Sequence, residues 1–402
     1  MFELDSFIKK YVTKRAKSMF VDDINNNYNK ISEKISNKSV LVIGGAGSIG
    51  SSFIKAILPF RPAELVVVDI NENGLAELTR DLRSTNGMYI PNEYITYPMD
   101  FFSPVFEKMF KKYGGFDIVG NFSAHKHVRS EKDIYSVEAL LQNNVIHAKH
   151  LLDLLSVYPP EEYFCVSTDK AANPVNIMGA SKRIMEDLIF SYSDRFPVKT
   201  ARFANVAFSN GSLPAGFLAR MQKLQPISAP SDVKRYFVSP EESGQICMLA
   251  CMLGENREIF FPKLDEEEMM TFDKIATALI NENGYEVLEC SSDDDAIAES
   301  DKLRCGGRQY PVHYSHSDTS GEKAYEEFYT TSEQVDMSRM QALGVVINKN
   351  IPSKNRVNTL IDDLSELFMK DEVSKEDAIA VLKAYLPNFE HIETGKSLDS
   401  KM

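Results

Sequence analysis

The chain is short of the features that mark several common protein classes. Its 402 residues hold five cysteines, at 165, 247, 251, 290 and 305, an odd number without CxxC pairing or neighbouring histidine spacing. That pattern argues against a disulfide framework and against a zinc site. Cys247 and Cys251, one helical turn apart, are expected as small apolar core residues. No apolar run approaches the length of a membrane span, and acids and lysines occur from the N-terminus onward. A basic stripe is missing too, as is any interleaving of basic with aromatic residues, and the formal net charge is -13, so nucleic acid is not an expected partner. No internal repeat is found. What is there is a chain with 43% hydrophobic and 26% charged residues, long enough for one large domain or two, and expected in the cytoplasm.

Residues 40–43 are wholly apolar and lead at once into a glycine-rich turn with Gly44, Gly47 and Gly50. Glycines so placed allow a tight turn, close backbone approach to a pyrophosphate and close helix packing. The phosphates would meet the N-terminus of the following helix, with Ser48 and Ile49 in its first turn. The next apolar run, residues 65–68, ends in Asp69, at the distance a dinucleotide site requires. A carboxylate there bonds the ribose hydroxyls of NAD and repels the extra phosphate of NADP; the plainer alternative is a cap for the turn at residues 71–74.

Further strand and helix signals alternate: strands near residues 94–97 and 117–119, a helix over 104–113 and a long helix through 140–155. The alternation predicts an α/β fold, a Rossmann-like doubly wound parallel sheet with a smaller C-terminal substrate-binding domain. Residues 1–38 form a helical extension with Asp22 or Asp23 as N-cap, docked on the main domain or on a neighbouring subunit; residues 9–17 leave a weak basic amphipathic anchor as the alternative. Residues 39–205 make the NAD-binding domain, with 233–256 returning to it, and 206–232 with 257–350 make the substrate-binding region. Residues 261–321 are less regular. Their acid run at 293–295 and turn-rich 305–308 read as part of an inserted, mobile loop. Residues 351–402 give two short helices, with a capping-box pattern from Ser374 to Asp377, and then a disordered polar tail.

The chemistry concentrates between Cys165 and Arg183. A short apolar strand ends in Ser167, Thr168, Asp169 and Lys170, which delivers a hydroxyl, a carboxylate and an amine to one strand tip, where open α/β sheets bind ligands. Pro174 forces an extended turn. The helix over 178–192 then sets Met178 and Lys182 one turn apart on one face. A lysine over the nicotinamide ribose permits reversible oxidation of a secondary alcohol. Adjacent acid and base groups then suit removal of an α-proton and loss of a β-hydroxyl. A solvated Asp169–Lys170 salt bridge is the competing reading. Asp100, past another strand tip, either binds the adenine amino group or caps the next turn. Residues 121–127 face the same crevice, and their two histidines at i, i+2 lack a third ligand, so no metal is expected. Asn144 is either a buried structural amide or part of a water-bridged chain at the active site.

Gly44 to Gly50, Asp69, residues 124–128, Ser167 to Lys170, Asn173 to Arg183, Arg202 to Val206, and Gly321-Glu322-Lys323 with residues 325–327 resemble the extended short-chain dehydrogenase/reductase family. Within it they resemble the UDP-N-acetylglucosamine 4,6-dehydratases of capsule, flagellin and protein glycosylation, over residues 39–345. The resemblance implies that NAD takes hydride from sugar C4, that Lys170 takes the C5 proton, and that Asp169 protonates the departing C6 hydroxyl. Return of hydride to C6 then gives a 4-keto-6-deoxy sugar nucleotide. Thr168, Asp169, Lys170 and Lys182 are the implied catalytic group, with Met178 at the family's tyrosine position, as in some members of the dehydratase branch. The C4 hydroxyl proton then falls to Thr168, Asp169 or a water ordered by Lys182. Gly44, Gly47, Ser48, Ile49, Gly50, Asp69, Asp100, Ser123, Ala124 and Lys182 are expected at the cofactor, and Lys126, Asn205, Arg235 and Glu322 at the nucleotide sugar. Thr319-Ser320 replaces the family's Arg-Pro, so Arg235, Arg304 or Arg308 is expected to grip the diphosphate. The rival readings are a C4 epimerase, against which Met178 counts, and a non-catalytic NAD-binding regulatory protein, against which the retained acid and base count. A homo-oligomer, dimer or higher, is expected from the family.

Overall fold

A computed structural model describes residues 2–126, 131–317, 327–348 and 351–392. Nine strands form the main sheet: β1 (Ser39–Ile43), β2 (Glu64–Asp69), β3 (Glu93–Pro98), β4 (Ile118–Asn121), β5 (Glu162–Val166), β6 (Val198–Ala201), β7 (Glu258–Pro262), β8 (Val335–Asp336) and β9 (Leu343–Ile347). Their spatial order is β8-β9-β7-β6-β5-β4-β1-β2-β3. From β7 through β3 every neighbouring pair is parallel, while β9 runs antiparallel to both β7 and β8. The apolar runs explain this layering. A parallel sheet needs helices on both faces, so its strands are buried on both sides, as all of β4, β5, β6 and β7 are. β7 and β9 lie in this sheet, although the sequence reading placed residues 257–350 in the substrate-binding region.

Strand order reverses at β1, which pairs with β2 on one side and β4 on the other, and a crevice opens where such a reversal occurs. Register brings the tips level there. Ile43 lies opposite both Val68 and Asn121, and Asn121 opposite Cys165. The segments after β1, β2, β4 and β5 therefore emerge side by side. Three helices frame them: α1 (Ser48–Ile57), α2 (Ile177–Phe190) and α3 (Pro240–Leu253). α3 starts with a complete capping box between Ser239 and Glu242. It crosses α1 so closely that a Cβ at Gly244 would stand 2.1 Å from the Ser52 carbonyl oxygen.

Beyond the main sheet, Glu286–Cys290, Gln309–Ser315 and Ile227–Pro230 form a small parallel sheet with its own apolar cluster, including Phe217, Ile275, Leu279 and Tyr310. This corrects the expected mobile loop: as far as residue 317 the segment folds as helices and strands. The acid run is the first turn of the helix Asp293–Arg304, where the Ser292 hydroxyl accepts from Asp295 N–H and the helix dipole favours negative charge.

The N-terminal segment spans both cores. Phe7, Ile8 and Val12 join the smaller cluster, and Phe20, Ile31 and Ile35 the main one, so the segment docks rather than anchors. Neither Asp22 nor Asp23 is an N-cap. Asp23 instead accepts the Gln341 and Ala342 N–H groups at 2.7 and 2.8 Å. At the other end, α4 (Lys354–Phe368) and α5 (Lys375–Tyr385) follow, the latter with the anticipated Ser374–Asp377 capping box. The expected disordered tail does not begin there, because residues 386–392 form a strap in which Phe389 and the His391 side chain are buried. No helix of the described residues is long and apolar enough to cross a membrane.

Candidate active site

The turn after β1 has the shape of a phosphate cradle. Gly44 has φ +75°, and a Cβ there would stand 2.6 Å from Ser123 N and 2.7 Å from the Phe122 carbonyl carbon. Glycine thus lets this turn touch the segment after β4. Gly47 stands at the N-cap of α1 and makes no side-chain cap, which leaves the helix's first N–H groups facing outward for an anion. The Ser48 hydroxyl accepts from Asn210 N–H at 2.9 Å, tying the 209–212 turn to this cradle. At the tip of β2 the Asp69 carboxylate accepts from Ala46 N–H at 3.0 Å and from Asn71 N–H at 2.9 Å. It therefore caps the next turn and braces the glycine turn at once, and its remaining lone pairs suit ribose hydroxyls. Asp100 is exposed and accepts Phe102 N–H at 2.9 Å, which is the cap geometry. Glycine turn, helix N-terminus and Asp69 together fit a bound dinucleotide.

After β4 the chain is held from behind. Asn121 is buried and accepts from Ser123 N–H at 3.0 Å. The expected long helix is interrupted by a wide π turn at Gln142–His147, and this presents Asn143 and Asn144 to the same segment. Asn144 accepts from His125 N–H at 2.9 Å and donates to His125 carbonyl and to Ser181 hydroxyl, both at 3.0 Å. It is a buried amide bonding protein groups directly. Lys126 projects from this clipped segment as an exposed residue, and partial desolvation by the neighbouring protein draws its amine pKa below the usual lysine range. His127 and Val128 lie outside the described residues.

The tip of β5 holds the acid and the amine. Thr168 hydroxyl donates to Asp169 Oδ1 at 2.7 Å, and the Lys170 N–H and ammonium reach the same oxygen at 2.9 and 3.2 Å. Oδ2 accepts from none of the described residues. Asp169 is only 4% exposed, so this pair is not the solvated salt bridge of the competing reading. Across from it, α2 begins at the Asn176 cap and is buried at every position except Arg183. Met178 and Lys182 both lie inside. Lys182 Nζ donates to the Val166 carbonyl at 3.1 Å, one residue before Ser167. Burial pushes its pKa down, against the opposing pull of Cys165 and Glu186.

Beneath this tip lies a buried ion network that the sequence reading missed. Ser167 hydroxyl donates to Glu186 Oε1 at 2.6 Å, and Arg202 forks onto Glu186 at 2.9 and 2.7 Å and onto Glu333 at 2.9 and 2.8 Å. Burial works against the Arg202 charge, but the two carboxylates outweigh it and raise its pKa. Arg202 heads the 202–206 run, but its partners lie 16 and 131 positions away, a separation that no local pattern marks.

The expected substrate residues divide. Asn205 pairs with Phe237 in a two-stranded ribbon, and Arg235, two residues before Phe237, is buried and donates to the Lys234 carbonyl. Arg304 does not join them: it is an exposed partner of Asp301 on its own helix. Glu322 lies outside the described residues, as do Thr319, Ser320 and Lys323. Among the described residues no cluster of His, Cys, Asp or Glu could hold a metal.

Fold and sequence together define a Rossmann-like α/β protein of the extended short-chain dehydrogenase/reductase kind. A family model described as polysaccharide biosynthesis protein matches residues 40–347, and the chain belongs to that family. Its relatives include the probable polysaccharide biosynthesis protein EpsC of Bacillus subtilis, 30% identical over 277 residues, covering 68% of this chain but 45% of that protein's length. They also include an inverting UDP-N-acetylglucosamine 4,6-dehydratase of Campylobacter jejuni, 23% identical over 311 residues, 75% of this chain and 84% of that one. Among solved structures the fold is similar to Pen from Bacillus thuringiensis, with TM-score 0.63 and 20% identity over 82% of this chain and 98% of that one. It is also similar to DesIV, a dTDP-glucose 4,6-dehydratase from Streptomyces venezuelae with NAD and TYD bound, with TM-score 0.53 and 18% identity over 72% and 88% of the two chains.

Proposed function

We propose that the chain is an NAD-dependent enzyme of nucleotide-sugar modification, and within that class a 4,6-dehydratase that converts UDP-N-acetylglucosamine to a UDP-4-keto-6-deoxy-N-acetylhexosamine for glycan synthesis. The observation that carries this reading is the Thr168–Asp169–Lys170 cluster at the β5 tip, built on the buried Asp169, with Lys182 bonded to the end of the same strand and the apolar Met178 where a tyrosine would serve simple C4 oxidation. The Campylobacter jejuni relative's name points the same way. Gly44, Gly47, Ser48, Ile49, Gly50, Asp69, Ser123, Ala124 and Lys182 would hold the cofactor. NAD bound there supplies a reversible hydride acceptor for a secondary alcohol carbon.

The residues then divide the proton work. Three donors converge on Asp169 Oδ1, so the Oδ2 side is the one that can carry a proton to the C6 hydroxyl, which leaves as water. With the proton the pair shares held on Asp169, the neutral Lys170 amine takes the C5 proton, and the electron pair of that C–H bond expels the hydroxyl. Burial of Asp169 keeps bulk water from taking over either transfer. Lys126, Asn205, Arg235 and Glu322 are proposed to bind the sugar nucleotide, and a homo-oligomer is proposed for the assembly.

The reading is tested by proton NMR of the protein with UDP-N-acetylglucosamine in heavy water. A new C6 methyl signal with deuterium at C5 is expected, lost in both Asp169→Asn and Lys170→Ala while NAD binding persists. Relatives named UDP-glucose 4-epimerase also match, at 25% identity over 87% of this chain, and an epimerised C4 without a methyl signal would replace the dehydratase reading with theirs.

A further inference from the structure

The C-terminal strap lies beyond the family-matched residues, yet it returns to the catalytic helix. Glu131, buried just after the 121–126 segment, accepts the Met178 N–H on Oε1 at 2.9 Å. Its other oxygen lies 3.3 Å from Nε2 of His391, whose side chain is 4% exposed near the end of the strap. One residue on, Ile392 N–H donates to the Val175 carbonyl at 3.0 Å, and Tyr385 at the end of α5 donates to Asp187 of α2 at 3.3 Å. Two direct bonds thus tie residues 385–392 to the lead-in and the last turns of α2, and a third contact, through Glu131, reaches its first turn.

We propose that Glu131, steadied by His391, is a positioning residue for the first turn of α2, which carries Met178 and sets Lys182 one turn on. The first-turn N–H groups of a helix have no partner within it. Asn176 satisfies Gly179 N–H here, and Glu131 satisfies Met178 N–H, its negative charge lying at the favourable end of the helix dipole. One carboxylate thus fixes residue 131 to the first turn of the helix that carries Lys182. His391 removes that carboxylate's freedom to turn away. Without it, the Met178–Lys182 turn loses its register against the β5 tip, and small errors in such registers slow chemistry steeply.

The inference rests on the activity proposed above, so its test carries two readouts in the full-length chain. Glu131→Ala and His391→Ala are expected to lower kcat about tenfold or more, with the KM for the sugar nucleotide held within about twofold, because neither side chain is assigned to substrate. Hydrogen exchange of the Met178 amide is expected to accelerate in both. Glu131→Gln keeps an acceptor for Met178, and His391→Gln keeps a donor at similar reach, so both should retain most turnover. A role in stability alone would lower the melting temperature and leave kcat per folded molecule unchanged. That result, or an unaltered Met178 exchange rate, overturns the proposal. If the wild-type protein turns over no nucleotide sugar, the proposed function fails while exchange at Met178 still decides the positioning claim. Should Glu131→Ala fail to fold, His391→Ala decides alone.

Discussion

Gly50 and Gly87 separate cofactor binding from backbone strain. Gly50 lies in the first turns of α1 with ordinary helical backbone, but a Cβ there would stand 2.3 Å from the Gly44 carbonyl oxygen and 2.8 Å from Gly45 Cα. Both neighbours are backbone, so Gly50→Ala forces α1 to retreat from the glycine turn by about 1 Å to reach ordinary contact. Overpacking of this kind costs about 1–3 kcal/mol, and alanine's better helix propensity returns about 1 kcal/mol, which leaves a net stability loss of about 0–2 kcal/mol. Affinity suffers more. Losing one charge-assisted bond between a phosphate and the helix N-terminus costs about 1.5–3 kcal/mol, or roughly ten- to a hundredfold in NAD affinity. Gly87 is the control: its φ is +76° and a Cβ there would meet nothing within 4 Å. Gly87→Ala should cost about 1–2 kcal/mol from left-handed backbone strain and leave NAD affinity unchanged. Calorimetric titration with NAD and urea unfolding read the two effects. The reasoning is refuted if Gly50→Ala binds NAD within about twofold of wild type, or if Gly87→Ala weakens binding as much as Gly50→Ala does.

Asp69→Asn keeps one of the two acceptor oxygens that meet Ala46 and Asn71, turns the other into a donor and removes the charge, and should narrow the preference for NAD over NADP by about tenfold; competition binding measures the ratio. Lys182 has its pKa held below the usual 10.5, so the unfolded chain binds the extra proton between the folded value and 10.5, and this group makes stability rise with pH through that window. Lys182→Met should therefore be more stable than wild type at neutral pH, by a margin that shrinks as pH rises towards 10.5; a margin that grows would contradict the sign. Arg202→Met strands the Glu186 and Glu333 carboxylates, and urea unfolding should show a loss of about 3–5 kcal/mol, partly restored by adding Glu186→Gln.

Much of the nucleotide half was legible because its signals are local. The apolar run before Gly44 ends where β1 ends, Asp69 closes β2, and residues 104–113 form the helix that their pattern announces. Non-local pairings were not legible. The strands at 258–262 and 343–347 share the main sheet through an antiparallel pairing of residues over 80 positions apart, and neither run says which sheet it joins. Asp23 reads as a helix cap by its neighbours, yet its carboxylate goes to two N–H groups more than 300 residues on. The acid run at 293–295 misled for a related reason: acids in a loop and acids in a helix's first turn have the same composition, and only the Ser292 cap separates them.

The candidate site shows the same division, and the buried charges sharpen it. Thr168, Asp169, Lys170, Met178 and Lys182 stand close in sequence, so strand-tip and helix-face arguments brought them together. Glu131, Glu186, Arg202 and His391 reach the same place from four different segments. Among these groups the Glu186 and Glu333 carboxylates are balanced by Arg202 and by Arg183, which lies 3.3 and 3.9 Å from them, and a buried cluster of that kind is explained by fixing the β5 tip against the 327–333 segment. Lys182 is different. It is 4% exposed, and its amine donates to a backbone carbonyl, with no carboxylate in contact among the described residues. Methionine would fill the same volume without the desolvation cost, so packing gives no reason for an amine at this position. A cost carried at one position, beside a crevice and opposite an acid that is also buried, is what a site for proton or hydride chemistry requires. That asymmetry separates Lys182 and Asp169 from the structural charges beneath them, and it supports the acid and amine as the reacting pair's immediate surroundings.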